Sequence, residues 1–219
     1  MSTAERVKVE PEGRFAFRTT WEGYRALTRI IDEGPGRVRI AFDGGMVELM
    51  SPGASHESQA YRLERIVEIL TDERRTPYRA LRSTRWVRDE AQRGLEPDAC
   101  FYLTAGKVAD SRDRKKRAED LPSPDLAVEV DHSASRVDRA SIYLALGVPE
   151  VWCFDGVELR IEVLTDGAYP VAMASPSLGI SAADVASWVN NDEFEDDNDW
   201  ARGFRAWVRA GREGTGGTP

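Results

Sequence analysis

Residues 15–190 predict an α/β (α+β) fold in which a mixed central sheet is flanked by helices, with an N-terminal β-hairpin and C-terminal helices around it. Three observations predict it. The spacing of apolar residues switches repeatedly between two, the period of a strand, and three to four, the period of a helix. A Gly-rich turn, Asp43-Gly44-Gly45, separates two alternating runs and marks the hairpin. Finally, two short runs of β-formers, 95–103 and 124–131, carry carboxylates where a buried strand normally has none.

In chain order, residues 1–19 are polar and charged and read as a loosely held arm. Thr20 is a candidate N-cap for an amphipathic helix that places Trp21, Tyr24, Leu27, Ile30 and Ile31 on one face and stops at Gly34-Pro35-Gly36. The strands 37–42 and 46–50 form the hairpin, and Ser51-Pro52-Gly53 ends it. Apolar residues Ala60, Leu63, Ile66, Val67 and Leu70 then predict a helix over 55–72, with His56 and Glu57 in its first turn. Residues 78–87 read as one strand, 88–94 as a polar turn, and 95–103 as the first acidic strand.

Residues 105–123 are charged and aperiodic, an exposed connection with room for a short helix. The second acidic strand, 124–131, precedes a helix over 136–146 for which Ser135 is a candidate cap and Gly147 the stop. A meander follows through 148–173. An apolar-spaced helix over 182–189, an acidic tract over 191–199 and a stretch with Trp200, Phe204, Trp207 and Val208 on one face complete the chain. We therefore expect a domain over 15–190 and an acidic linker with a helical tail over 191–219.

Composition narrows the function classes. No apolar run approaches the roughly 20 residues of a membrane span, and the N-terminus lacks the apolar core of a signal peptide, so the expected location is the cytoplasm. Cys100 and Cys153 lie in apolar strand-like runs without CxxC spacing and read as reduced thiols. The net charge of −8 is concentrated in 191–199, while 112–117 is a basic block able to meet phosphates. Charge therefore does not exclude a nucleic-acid partner.

The acidic strands carry the candidate chemistry. Two carboxylates on neighbouring strands, Asp98 and Glu129, can hold a divalent ion with positions open to water and phosphate. Glu129 stands between Val128 and Val130 on the strand face of Asp125, Ala127 and Asp131, where an ionised group is costly unless paired or metal-bound. The plainer alternatives are a strand-start turn for Asp98 and a salt bridge to Arg139 for Glu129. His56 and His132 are candidates of lower weight, since a lone histidine is more often a helix-start or turn residue.

Glu96-Pro97-Asp98, then Asp125-Leu-Ala-Val-Glu129-Val-Asp131, Asp138-Arg139, and the run from Ile142-Tyr143 through Gly147 to Trp152 resemble the Uma-type restriction endonuclease family of the PD-(D/E)XK nuclease superfamily. Asp43-Gly44, Met50-Ser51-Pro52 and His56 match its hairpin and helix start. The resemblance spans about residues 15–190. It implies a restriction endonuclease-like αβββαβ core and a metal-dependent endonuclease acting on a DNA substrate. It implies Mg²⁺ or Mn²⁺ on Asp98 and Glu129, with Asp131 or Glu48 as accessory carboxylate, Arg139 as phosphate clamp and His56 nearby; Glu57 and the Val130 carbonyl are other third ligands. A homodimer would suit cutting of both strands.

Two departures from the pattern bear on activity. Asp131 occupies the slot of the usual lysine, and Arg139 stands where the family moves that lysine; arginine stabilises phosphate charge but does not deprotonate water. Ile40 replaces a glutamate frequent in the first hairpin strand. The alternative function is a catalytically inactive nucleic-acid-binding or protein-interaction module that retains the nuclease fold.

Overall fold

The computed structural model describes residues 13–34, 38–113 and 120–215. Most of the expected N-terminal arm, the Pro35-Gly36 stop and residues 114–117 of the basic block lie outside them. Residues 14–18 are not a loose arm: they form strand β1 (Arg14–Arg18). Helix α1 (Trp21–Glu33) begins where expected, with Thr20 accepting from the Gly23 N–H at 3.1 Å. Tyr24 is fully buried, but Ile30 is 65% exposed, so the buried stripe is narrower than the spacing suggested.

Strands β2 (Arg39–Asp43) and β3 (Met46–Met50) make the hairpin. Gly44 and Gly45 both have positive φ, 55° and 88°, the turn geometry that matches strand twist and that side chains resist. Strand β1 pairs antiparallel with β3, placing Arg14 opposite Met50 and Ala16 opposite Glu48. Helix α2 (Ala54–Arg74) follows and buries Ala60, Leu63, Ile66, Val67 and Leu70.

The single strand expected over 78–87 is two pieces, β4 (Arg79–Ala80) and β5 (Trp86–Arg88), broken at Arg82, where φ is 54°. Likewise 95–103 divides into β6 (Arg93–Leu95) and β7 (Ala99–Tyr102), with Glu96-Pro97-Asp98 as the passage between sheets. Proline offers no N–H to a ladder, which favours a break there. Next come α3 (Ala105–Asp110), β8 (Leu126–Val130) and α4 (Arg139–Leu146). The cap of α4 is Asp138, which accepts from the Ser141 N–H, rather than Ser135; Gly147 closes the helix with φ 67°.

Strands β9 (Glu150–Phe154), β10 (Leu159–Val163) and β11 (Val171–Ala172) complete the meander, followed by α5 (Ala182–Val189) and α6 (Asp197–Thr215). The strands form two sheets, in the orders β1-β3-β2-β6-β5 and β11-β10-β9-β8-β7-β4. Among the described strands only β8 and β9, joined through α4, pair in parallel, so the second sheet is mixed. The hairpin belongs to the first sheet rather than standing apart.

Side-chain alternation then distributes the core. Leu126, Val128 and Val130 of β8 face α2, α5 and α6 in the largest apolar cluster, which includes Trp200, Phe204 and Val208. Ala127 faces the opposite way, with Tyr143, Ile142 and Leu146 of α4 and Ala41 of the hairpin. A third cluster joins Tyr24 of α1 to Ile40, Phe42 and Val47. Both cysteines are free thiols. No described helix is long and apolar enough to cross a membrane.

Candidate metal-nuclease site

The two acidic strands do lie side by side. Ala99 of β7 is paired with Val128 of β8, and Asp98 stands at the mouth of β7. Its N–H donates to the Val128 carbonyl at 3.1 Å, and its Oδ2 accepts from the Val130 N–H at 2.6 Å. These two bonds straddle Glu129. Asp98 and Glu129 are 3% and 1% exposed, so two carboxylates share a buried neighbourhood that apolar strands would ordinarily fill.

Glu129 is held from α4. Arg139 Nη1 donates to its Oε2 and the Tyr143 hydroxyl to its Oε1. Arg139 and Tyr143 are four residues apart and so share one helix face. Burial, opposed by Arg139 and reinforced by the nearby Asp131 charge, pushes the Glu129 carboxyl above the usual range. Burial, together with the Glu129 charge, likewise pushes the Tyr143 hydroxyl well up, keeping it a donor. Burial works against the Arg139 charge, but Glu129, Asp131, Tyr143 and Glu48 outweigh it, and the guanidinium stays protonated.

The hairpin closes the site from above. In β1–β3 the charged residues Arg14, Arg39 and Glu48 fall on the strand face of Ala16 and Ala41, because Ala16 and Ala41 both lie opposite Glu48. Glu48, 2% exposed, accepts from the Arg136 N–H at 2.6 Å, the Ser135 hydroxyl at 3.0 Å and Arg14 Nη1 at 2.7 Å. Arg14 Nη2 reaches Asp131 at 2.5 Å, and Arg139 Nη2 lies 3.5 Å from both Glu48 and Asp131. Ser135, expected as a helix cap, thus serves Glu48 instead.

On the other side, Arg39 Nη1 forms an ion pair with Asp98 Oδ1 while Nη2 donates to Glu57 at 3.0 Å. Buried His56 in the first turn of α2 brings Nε2 to 3.3 Å from Asp98 Oδ2, with the His132 ring 5.9 Å from its own, edge to face. The residues named from sequence fall in two adjoining groups, Asp98 and His56 around Arg39, and Glu129, Asp131, Arg139 and Glu48 with Arg14, joined by the Asp98 bonds to the β8 backbone. Sequence reasoning missed Arg14, Arg39 and Tyr143; the period-two placement of the hairpin charges and the i, i+4 spacing of Tyr143 from Arg139 were the signals available.

Do these residues suit a divalent cation? Four carboxylates, Glu48, Asp98, Glu129 and Asp131, face three guanidinium groups, one of which also holds Glu57, with His56 beside Asp98. Asp98 and Arg39 pair with each other where both side chains are largely buried. Among the described residues no group of three His, Cys, Asp or Glu side chains is placed to hold a metal ion. Asp98 and Glu129 would supply two hard carboxylates, with the balance left to water and substrate oxygens, the arrangement Mg²⁺ commonly accepts.

The two-sheet α+β fold is restriction endonuclease-like. It is similar to a structure described as a putative nuclease belonging to DUF820, from Anabaena variabilis ATCC 29413, with a TM-score of 0.51 at 17% identity over 73% of this chain and 96% of that one. The family model Uma2, described as "Putative restriction endonuclease", matches residues 21–179, and the chain belongs to that family. Nothing among curated proteins matches it.

Proposed function

We propose that the chain is an endonuclease that hydrolyses phosphodiester bonds in DNA with Mg²⁺ or Mn²⁺ held by Asp98 and Glu129. The observation that carries this reading is the pair of Asp98 backbone bonds that straddle Glu129, bringing two buried carboxylates to adjacent strands. When bound, the metal would neutralise phosphate charge and acidify the attacking water.

The protein's own residues prepare that site. Arg139 and Tyr143 orient Glu129, so Arg139 acts first as a positioning residue for a carboxylate and only secondarily as the phosphate clamp expected from sequence. Glu48 pins the start of the 135–138 segment and holds Arg14 against Asp131. Because Arg139 does not titrate, activation of the attacking water falls to the metal alone or to a carboxylate that takes its proton. Asp131 fits: its side chain is 23% exposed, against 1% or less for Glu48, Asp98 and Glu129.

With purified protein, supercoiled plasmid and Mn²⁺, wild type is expected to nick DNA. Glu129→Ala should slow nicking by about 10³-fold, since electrostatic stabilisation by a metal is worth several kcal/mol. Equal rates for the two proteins would remove this site. One observation favours a second reading, the inactive nucleic-acid-binding or protein-interaction module: each of the two carboxylates already has a guanidinium partner. That reading expects no metal-dependent nicking by wild type while DNA or protein binding persists.

A further inference from the structure

Arg39 is the residue the nuclease reading leaves unexplained. It begins β2 on the face that looks into the site, its side chain is 12% exposed, and it spans two carboxylates. Nη1 faces Asp98, which is fully buried, whereas Nη2 holds Glu57, whose side chain is 43% exposed. The two anchors differ in exposure. The Glu57 bond has ordinary length and geometry at 3.0 Å and opens toward solvent. The Asp98 contact is an ion pair with a carboxylate shut away from solvent.

There is also room for the head group to move. Arg39 and Glu57 line a cleft of about 480 Å³ whose wall includes Ile31, Pro52, Ser83 and Arg85. A rotation about the Glu57 anchor would carry Nη1 off Asp98 into that space without breaking the Glu57 bond.

We propose that Arg39 is the internal counter-cation of Asp98: it neutralises the carboxylate when no divalent ion is bound, competes with that ion for Asp98, and pivots on Glu57 into the cleft when the ion enters. This rests on the proposed metal site and adds its regulation. The apparent affinity for metal is then set by the exchange of one cation for another, because an ion entering the site must first displace the guanidinium.

Calorimetric titration of Mn²⁺ into wild type, Arg39→Gln and Arg39→Lys tests it without any cleavage assay. Arg39→Gln should bind Mn²⁺ at least about tenfold more tightly, a gain of roughly 1.4 kcal/mol. Its melting temperature without metal should be lower than wild type and should rise more on Mn²⁺ saturation. Arg39→Lys, which keeps the charge but loses the fork that spans Asp98 and Glu57, should fall between the two. Adding Asp98→Asn should erase the gain.

Binding by wild type with unchanged or weaker affinity in Arg39→Gln overturns the competition and leaves the metal site standing. No Mn²⁺ binding by any of the proteins overturns the metal site and the competition together. Should Arg39→Gln fold only with Mn²⁺ present, that dependence is itself the predicted competition. Should it fail to fold under either condition, Arg39→Lys decides: tighter binding than wild type supports the proposal, and equal or weaker binding overturns it.

Discussion

Two of the places where arginine and carboxylate meet in this molecule stand under opposite conditions. On the outside, Arg205 and Arg209 of α6 clamp Glu73 at 2.6–2.9 Å, and Arg205 also reaches Asp72, tying the last helix to α2. Inside, Arg14, Arg39 and Arg139 meet Glu48, Asp98, Glu129 and Asp131 beneath the hairpin. The outer clamp sits over a seam already secured by Trp200, Phe204 and Val208, and exposed ion pairs contribute little. The inner cluster desolvates seven charged groups where apolar side chains would pack at less cost. Such an arrangement is poor value as a stability device, which is why we assign it to chemistry.

The largest expected effect separates the two directly. Glu129→Ala leaves Arg139 with only its 3.5 Å neighbours and should destabilise the fold by about 3 kcal/mol in urea denaturation. Replacing the group together, as Glu129→Met, Arg139→Leu and Tyr143→Phe, should recover most of that loss, because no buried charge is orphaned at Glu129. If the triple variant is instead less stable than Glu129→Ala, the inner cluster is structural after all and the contrast with the clamp disappears.

The outer clamp gives the smaller effect, with a distinctive pH signature. Hydrogen bonds from Arg209 and Arg205 hold the Glu73 carboxyl down at about 2, against 4.5 unperturbed. A folded-state value below the unfolded one adds stability that is complete above about pH 4.5 and is lost as pH falls toward 2. Because the Arg205 and Arg209 side chains are 32% and 61% exposed, solvent screening removes most of what that shift would be worth, and Arg205→Ala with Arg209→Ala should cost no more than about 1 kcal/mol at pH 7. The gap from wild type should close as the pH is lowered through that window. A gap that persists at pH 2 would assign the loss to helix packing rather than to the ion pairs.

The strands and helices whose apolar period was regular were legible from sequence: α1, the hairpin, α2, β8 and α4 all stand within a few residues of expectation. The errors lie where tertiary pairing overrides local pattern. Residues 14–18 become a strand because β3 offers them an edge, and 78–87 divides because Arg82 turns the chain from one sheet to the other. Ser135 was a reasonable cap by residue type, but a buried Glu48 from a distant hairpin claims its hydroxyl. The site was legible through its carboxylates, since an acidic residue inside an apolar strand is conspicuous. Its arginines were not, because Arg14 and Arg39 look like ordinary solvated strand residues until the hairpin folds over β7 and β8.

The central claim concerns what Asp98 and Glu129 hold, and diffraction from a crystal soaked in Mn²⁺, recorded for anomalous signal, tests it most directly. The account predicts a single strong peak in contact with both carboxylates, with Arg39 turned away from Asp98 and still bonded to Glu57. A map with no peak at full Mn²⁺ saturation and Arg39 still paired with Asp98 would contradict it.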